Sequence, residues 1–253
     1  MDLDAGRLAR EREFHDELAA HLRPTEMPPV EPGPIETAML KSVGGVRGKR
    51  VLDLGCGDGD MTLALLRQGA EVTAVDLSPG MVEVARQRAE HFAPGAPATF
   101  AAGPAEALPF PDASFDVVIG RLILHHLDMD RAPAEIRRVL APGGSALFVE
   151  NSGRNPILMF ARRHIAGRFG VPRLGTEDEH PLSAGDVENI RRALPQTELL
   201  YPVFNFFTVF DRQVLRYRYR AATRVCHALD TAVWRFMPWA RKYSFRVLVR
   251  AGI

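Results

Sequence analysis

The chain has 253 residues, 46% of them apolar and 25% charged, with a formal net charge of +1. That is an ordinary globular balance, with length for one large α/β domain or two small ones. The charged first 17 residues do not read as a secretory signal, so none is expected, and no stretch nears the ~18 uninterrupted apolar residues of a membrane span. Cys56 and Cys226 stand in unrelated contexts and suggest neither a disulfide nor a thiolate metal site, so a cytoplasmic protein is expected.

The net charge hides an asymmetry. Residues 1–153 hold 15 Lys and Arg against 23 Asp and Glu, whereas residues 154–253 hold 17 against 8. An acidic part and a basic part are expected to meet different partners.

Residues 3–22 place Leu8, Phe14, Leu18 and Leu22 at helical spacing before Pro24, and "PTEMPPVEPGP" connects to a second short helix over 34–43. Short apolar runs and amphipathic segments then alternate. "RVLDL" reads as a strand and 60–68 as a helix. "EVTAVD" reads as a second strand, and 78–92 as a helix opened by Ser78 as N-cap with Pro79 next. "ATFAA" and "FDVVIG" are strands three and four, 130–140 is a helix stopped by "APGG", and "SALFVE" is the fifth strand. This alternation implies parallel pairing with right-handed crossovers, hence an α/β doubly wound sheet.

Beyond residue 153 the pattern changes. Residues 154–195 read as helical with a polar break at "GTEDEHP", "ELLYPVFNFFTVF" as a long strand, 212–240 as a basic helical insert, and "YSFRVLVR" as the last strand. The expected organisation is an N-terminal helical segment (1–44), a core (45–153), and a helical cap (154–253) interleaved with the last two strands.

The chemistry is concentrated in "VLDLGCGDGD", residues 51–60. Glycines after a strand form a crevice floor at the carboxyl edge of an open sheet. A dinucleotide site wants G-x-G-x-x-G, but here the third glycine comes one position early, at Gly59, and Asp60 fills its slot, where it would repel a phosphate. Asp53, Asp58 and Asp60 suit a cationic or zwitterionic ligand without phosphate. S-adenosylmethionine meets that description, with a sulfonium, an ammonium, a carboxylate and two ribose hydroxyls. Asp76, at the end of the second strand, stands where an acid would accept both hydroxyls.

The stretches "VLDLGCGDG", "VTAVDLSPGMVEVAR", "AEALPFPDASFDVVIGRLILHHL" and "EIRRVLAPGGSALFVE" occur in this order over residues 50–150. Together they resemble class I S-adenosylmethionine-dependent methyltransferases of the small-molecule type related to quinone-biosynthesis enzymes. The resemblance implies a seven-stranded sheet with its last strand antiparallel. It implies that Leu54, Gly55, Cys56 and Gly57 floor the methionine part, with Asp53 toward the ammonium. Asp76 would hold the ribose, Leu77 and Met81 would pack on adenine, and the backbone N–H of Ala105 would meet the adenine ring. Arg121 and Ile123 would lie under the methionine end. One position departs from the family pattern: Pro104 replaces an aspartate that accepts from the adenine amino group, leaving Glu106 or water to substitute.

Methyl transfer needs a base only if the acceptor must lose a proton. His125 and His126 follow the fourth strand; one can be that base, or the pair can serve packing and capping. They point about 100° apart on a helix, so at most one faces the pocket; the resemblance implies His126, because family members more often keep the second histidine. Glu150, Asn151, His180, Phe204, Phe206 and Phe207 are candidate contacts for a small, hydrophobic acceptor. His15 reaches the site if the N-terminal helix folds over it. "EDEH" and "HHLD" match no common metal cage, so no metal is expected.

Residues 212–250 carry ten Lys and Arg and one acid, Asp230, interleaved with Trp234, Phe236, Met237 and Trp239. Such a segment can rest peripherally on an anionic membrane, grip an acidic carrier protein, or form a lid. Nucleic acid is not expected, because the body of the domain is acidic. The alternatives to methyl transfer are a cofactor-binding protein without transferase activity and an NAD(P)-dependent reductase.

Overall fold

The computed structural model describes residues 4–168 and 180–253. Helices α1 (Ala5–Ala20) and α2 (Pro34–Ser42) precede strand β1 (Arg50–Leu54). There follow α3 (Asp60–Arg67), β2 (Glu71–Asp76), α4 (Pro79–Phe92), β3 (Ala98–Ala102), β4 (Phe115–Arg121), α5 (Ala132–Val139) and β5 (Leu140–Asn151). The last strands are β6 (Glu198–Leu200) and β7 (Arg246–Gly252), and the seven-stranded order is β3-β2-β1-β4-β5-β7-β6. β1 pairs in parallel with both β2 and β4, while β7 runs antiparallel between β5 and β6. The strand order reverses at β1, which opens a crevice beyond Leu54.

Alternation along β1 explains the two-sided core. Leu52 and Leu54 pack with Val118 and Phe148 on one face, and Val51 packs with Leu63, Ile119 and Leu147 on the other. Helices cover both faces, so Val51, Leu52 and Leu54 are buried on either side of the sheet, with Asp53 the one buried polar residue of the strand. Each such buried side chain contributes roughly 1.5–3 kcal/mol. The helix after β2 starts as the sequence implies: Ser78 Oγ accepts from the Met81 N–H at 3.0 Å.

Two elements differ from expectation. "APGG" does not simply stop a helix; it belongs to the first part of β5, across a register shift between Phe115 and Val117. The long strand expected from "ELLYPVFNFFTVF" is only three residues. The buried Asp230 carboxylate accepts from the backbone N–H groups of Phe206, Phe207 and Thr208, each at 3.0 Å. Three successive donors aimed at one carboxylate form a helix start, not a strand ladder. A helical turn, α8 (Phe207–Phe210), and a π-helical turn (Asp211–Leu215) follow.

The cap contains α6 (Pro156–His164), α7 (Ala184–Ala193) and α9 (Arg220–Phe236). The expected polar break lies largely outside the described residues, of which His180 is the first after it. Within the expected insert, Arg216 and Tyr217 adopt positive φ and separate the π-turn from α9. Among the described residues, no helix is long and apolar enough to cross a membrane.

Candidate functional site

The glycine loop is held from β2. Gly55 and Cys56 donate to the Val75 carbonyl at 2.8 and 3.0 Å, and Gly57 donates to Asp76 Oδ2 at 2.9 Å. Asp76 Oδ1 accepts from Ser78 N–H at 2.9 Å, so this carboxylate ties the loop to the start of α4. Gly55 has φ +70°, and a Cβ there would come within 2.6 Å of Ile123. Only glycine permits both that conformation and that approach. Leu122, beside Ile123, also has positive φ (+58°), a strained position that no sequence signal marks.

Beyond the loop lies a cavity of about 200 Å³. Leu54, Gly55, Gly57, Asp76 and Leu77 line one side, and Ala105, Glu106, Arg121, Ile123 and His126 line the other. Pro104 is in the wall beside Ala105. The sequence motifs therefore converge on one crevice.

The three loop aspartates do not face it. Asp58 and Asp60 neutralise the buried Arg88, whose guanidinium lies 3.2 Å from Asp58 Oδ2 and 2.7 Å from Asp60 Oδ1. Asp53 is buried behind the loop and accepts from the Thr62 hydroxyl at 2.5 Å. Burial pushes its pKa up from 3.8 to about 6, against the Thr62 hydrogen bond and the nearby Arg121 charge. The loop acids are thus explained by a buried arginine and a helix contact, not by a cationic ligand. Asp53 is corrected from a ligand-facing residue to one behind the wall.

Other expected positions also move away from the cavity wall. Cys56 packs with Ala74 and Ala85, and burial holds its thiol well above the usual range. Met81 packs with Ala19 and Val84. Glu150 is fully buried and accepts from Leu124 N–H at 2.7 Å and pairs with His125 Nδ1 at 2.9 Å. That pair holds the turn after β4, so neither residue lines the cavity. Asn151 ends β5 opposite Arg246, outside the cavity lining. His180 is exposed, 3.8 Å from Asp186. Phe204, Phe206 and Phe207 belong to the segment gathered by Asp230 and do not line the cavity.

His126 does face it, and α1 folds over it as the placement of His15 required, adding Arg7, Leu8 and Glu11, which sequence reasoning missed. Arg7, Leu8, Glu11 and His15 close the mouth. Arg7 pairs with the buried Glu106 carboxylate at 2.7 Å and donates to the His126 carbonyl. Glu11 Oε2 lies 3.2 Å from His126 Nδ1 and 3.8 Å from His15 Nε2. Ligating atoms of Glu11, His15 and His126 fall within 4.8 Å of one another, a different trio from the polar runs weighed as metal ligands. The signal available in the sequence was the i,i+4 spacing of Glu11 and His15, which places both on one helix face.

Known proteins share this arrangement of motifs. The family described as "Methyltransferase domain" matches residues 52–148. The match takes in the glycine loop, Asp76 and His126 and leaves the flanking segments outside it. A demethylmenaquinone methyltransferase of Thermus thermophilus is 44% identical over 105 residues, covering 40% of this chain and 47% of that protein. A malonyl-(acyl-carrier protein) O-methyltransferase of Serratia marcescens is 40% identical over 104 residues, covering 40% of this chain and 38% of that protein. The chain therefore spans less than half the length of either relative. Among solved structures, the cyclase SpnF superposes with a TM-score of 0.63 at 22% identity, over 97% of this chain and 96% of that one. That likeness shows a shared fold that extends well beyond residues 52–148.

Proposed function

We propose that this chain transfers a methyl group from S-adenosylmethionine to a small, hydrophobic acceptor. The observation that carries the reading is the convergence of the glycine loop, Asp76 and His126 of the methyltransferase domain on one crevice. The residues fit the cofactor. Each Asp76 oxygen holds one backbone N–H and keeps acceptor capacity for a ribose hydroxyl. The Leu77 side chain and the Ala105 backbone suit an adenine ring. Glu106 Oε1 is committed to Arg7 and Asp128 N–H, so only its second oxygen remains for the amino group that Pro104 cannot serve.

When bound, the cofactor supplies an electrophilic methyl on a sulfonium. The protein's contribution is to hold the acceptor at about 3–3.5 Å in a water-poor space. His126 takes the acceptor's proton where one must be lost, and the Glu11 carboxylate, 3.2 Å from Nδ1, stabilises the charge that then forms on the imidazole. With α1 in place the cavity of about 200 Å³ is below the roughly 300–1,000 Å³ of most ligand pockets, so α1 yields when ligands enter.

A second reading, cofactor binding without transfer, is favoured by Pro104 and by a fold shared with a cyclase. The reductase alternative draws no support from the matches. The test incubates the full chain with methyl-labelled S-adenosylmethionine and an apolar metabolite extract, and follows label by mass spectrometry. A labelled product is expected. Tight S-adenosylhomocysteine binding with no product from any extract would favour the second reading, and no binding at all would defeat both.

A further inference from the structure

Helix α9 faces the wrong way for an ordinary surface helix. Its docked side carries Cys226 and the buried acid Asp230, while Ala221, Val225, Ala228, Leu229, Ala232 and Phe236 are all exposed. These six recur at helical spacing and form one apolar stripe about 100° wide, beside the docked side and outside it. Phe236 is 74% exposed, and Trp239, in the turn that follows, is 66% exposed. An apolar stripe of this continuity on a charged cap marks a surface made for contact.

Charge says what kind of contact. Arg218, Arg220, Arg224 and Arg235 are exposed around the stripe. Between residues 212 and 253 the single acid is Asp230, buried and occupied by three backbone N–H groups and the Thr208 hydroxyl. Residues 212–253 themselves thus supply no exposed acidic side chain to offset these arginines. The neighbouring α6 repeats the composition: Ile157 and Phe160 are exposed, and residues 154–168 contain no acid. The N-cap of α6 is joined to the turn after α9 by Asn155 Nδ2, which donates to the Tyr243 carbonyl at 2.7 Å.

We propose that α9 and the following turn dock on an anionic lipid surface. The apolar stripe enters the headgroup boundary, the arginines meet lipid phosphates, and Trp239 takes the interfacial position that indole rings favour. An acidic protein would satisfy the arginines, but it would leave a stripe without polar residues to be matched by an equally apolar partner. β7 begins at Arg246 opposite Asn151, the carboxyl end of β5. The docking surface thus joins the sheet at the edge where the cavity opens, and a docked chain would draw apolar acceptors from the bilayer. Only that last consequence rests on the proposed methyl transfer.

The test is vesicle flotation of the full chain, with phosphatidylcholine alone or with 30% phosphatidylglycerol as a chosen composition. Binding to the mixed vesicles at low salt, and little to the neutral ones, is expected. Each arginine near such a surface is worth roughly a factor of five in binding, less as salt screens it. Replacing Arg218, Arg220, Arg224 and Arg235 by Gln should therefore weaken partitioning at least tenfold. A second variant, L229S/F236S/W239S, should lose the part of the binding that survives at high salt. Both substitute exposed side chains, and unchanged melting and S-adenosylhomocysteine affinity would show the fold and the cofactor site intact. Wild-type indifference to the mixed vesicles, undiminished binding by the arginine variant, or capture of an acyl carrier protein in place of vesicles would each overturn the proposal. None of these outcomes bears on methyl transfer, which the labelling experiment reads separately.

Discussion

Nδ1 of His126 lies 3.2 Å from Oε2 of Glu11, joining the first helix to the turn after β4 inside the cavity. The adjacent His125 is spent on Glu150 at 2.9 Å. One histidine of the pair thus holds the turn, and the other faces the cavity.

If His126 is the base, His126→Ala should lower kcat by roughly 10²–10⁴-fold with cofactor affinity preserved. Glu11→Gln should cause a smaller loss and almost none in the His126→Ala background, because Glu11 acts through the imidazole. Single-turnover rates of the four proteins check this. Additive losses would separate the two residues.

Asp76 ties the glycine loop to α4 and, on the proposed function, also holds the cofactor's ribose; its removal should show both. Asp76→Ala should cost roughly 1.5–3 kcal/mol in S-adenosylhomocysteine binding, about 10- to 150-fold. It should also lower the melting temperature of the ligand-free chain, since Gly57 and Ser78 lose their acceptor. Calorimetry below the variant's transition measures the first effect. Unchanged affinity would remove Asp76 from the ligand site.

What the sequence made legible follows from how local each determinant is. The strands and helices of residues 50–150 were readable because periodicity, Ser78 and the glycine turns act over a few residues, and the antiparallel last strand followed from the family resemblance. The loop aspartates were misread because their partners are distant: Arg88 is 28 residues from Asp60. The strand expected through Phe206 failed for the same reason, since Asp230 reaches back 24 residues to claim its N–H. Arg7 and Glu11 were missed because helix packing, not spacing, brings them over the cavity. The acceptor-contact aromatics were assigned from composition alone, which does not fix direction.

The buried Asp53 should leave a signature in the pH dependence of stability. Its pKa is 3.8 unperturbed and about 6 in the folded chain, so the folded chain binds this proton more tightly. Stability from this group is fully present below pH 3.8 and is lost as pH rises through 6, by about 3 kcal/mol in all. Asp53→Asn keeps an acceptor for the Thr62 hydroxyl and removes the charge. Urea unfolding at pH 5 and pH 7.5 should show a flatter dependence and no loss of stability at the higher pH. A variant clearly less stable than wild type at pH 7.5 would contradict this account.

Arg7 should set how fast the cavity opens. Its guanidinium bridges α1 to Glu106 and to the His126 carbonyl, and Glu106 is almost fully buried. Opening breaks a charge-assisted contact, and such contacts are worth roughly 1.5–3 kcal/mol when partly desolvated. Arg7 is itself about a quarter exposed, so solvent screening brings the expected effect to the low end. Arg7→Ala should therefore raise both association and dissociation rates of S-adenosylhomocysteine several-fold, with a smaller change in their ratio, because the same bridge opposes entry and exit. Stopped-flow fluorescence with the full chain measures both. Unchanged rates with weaker equilibrium binding cannot coexist, so the decisive alternative is a fall in association rate. That result would mean Arg7 attracts the ligand instead of holding the helix shut.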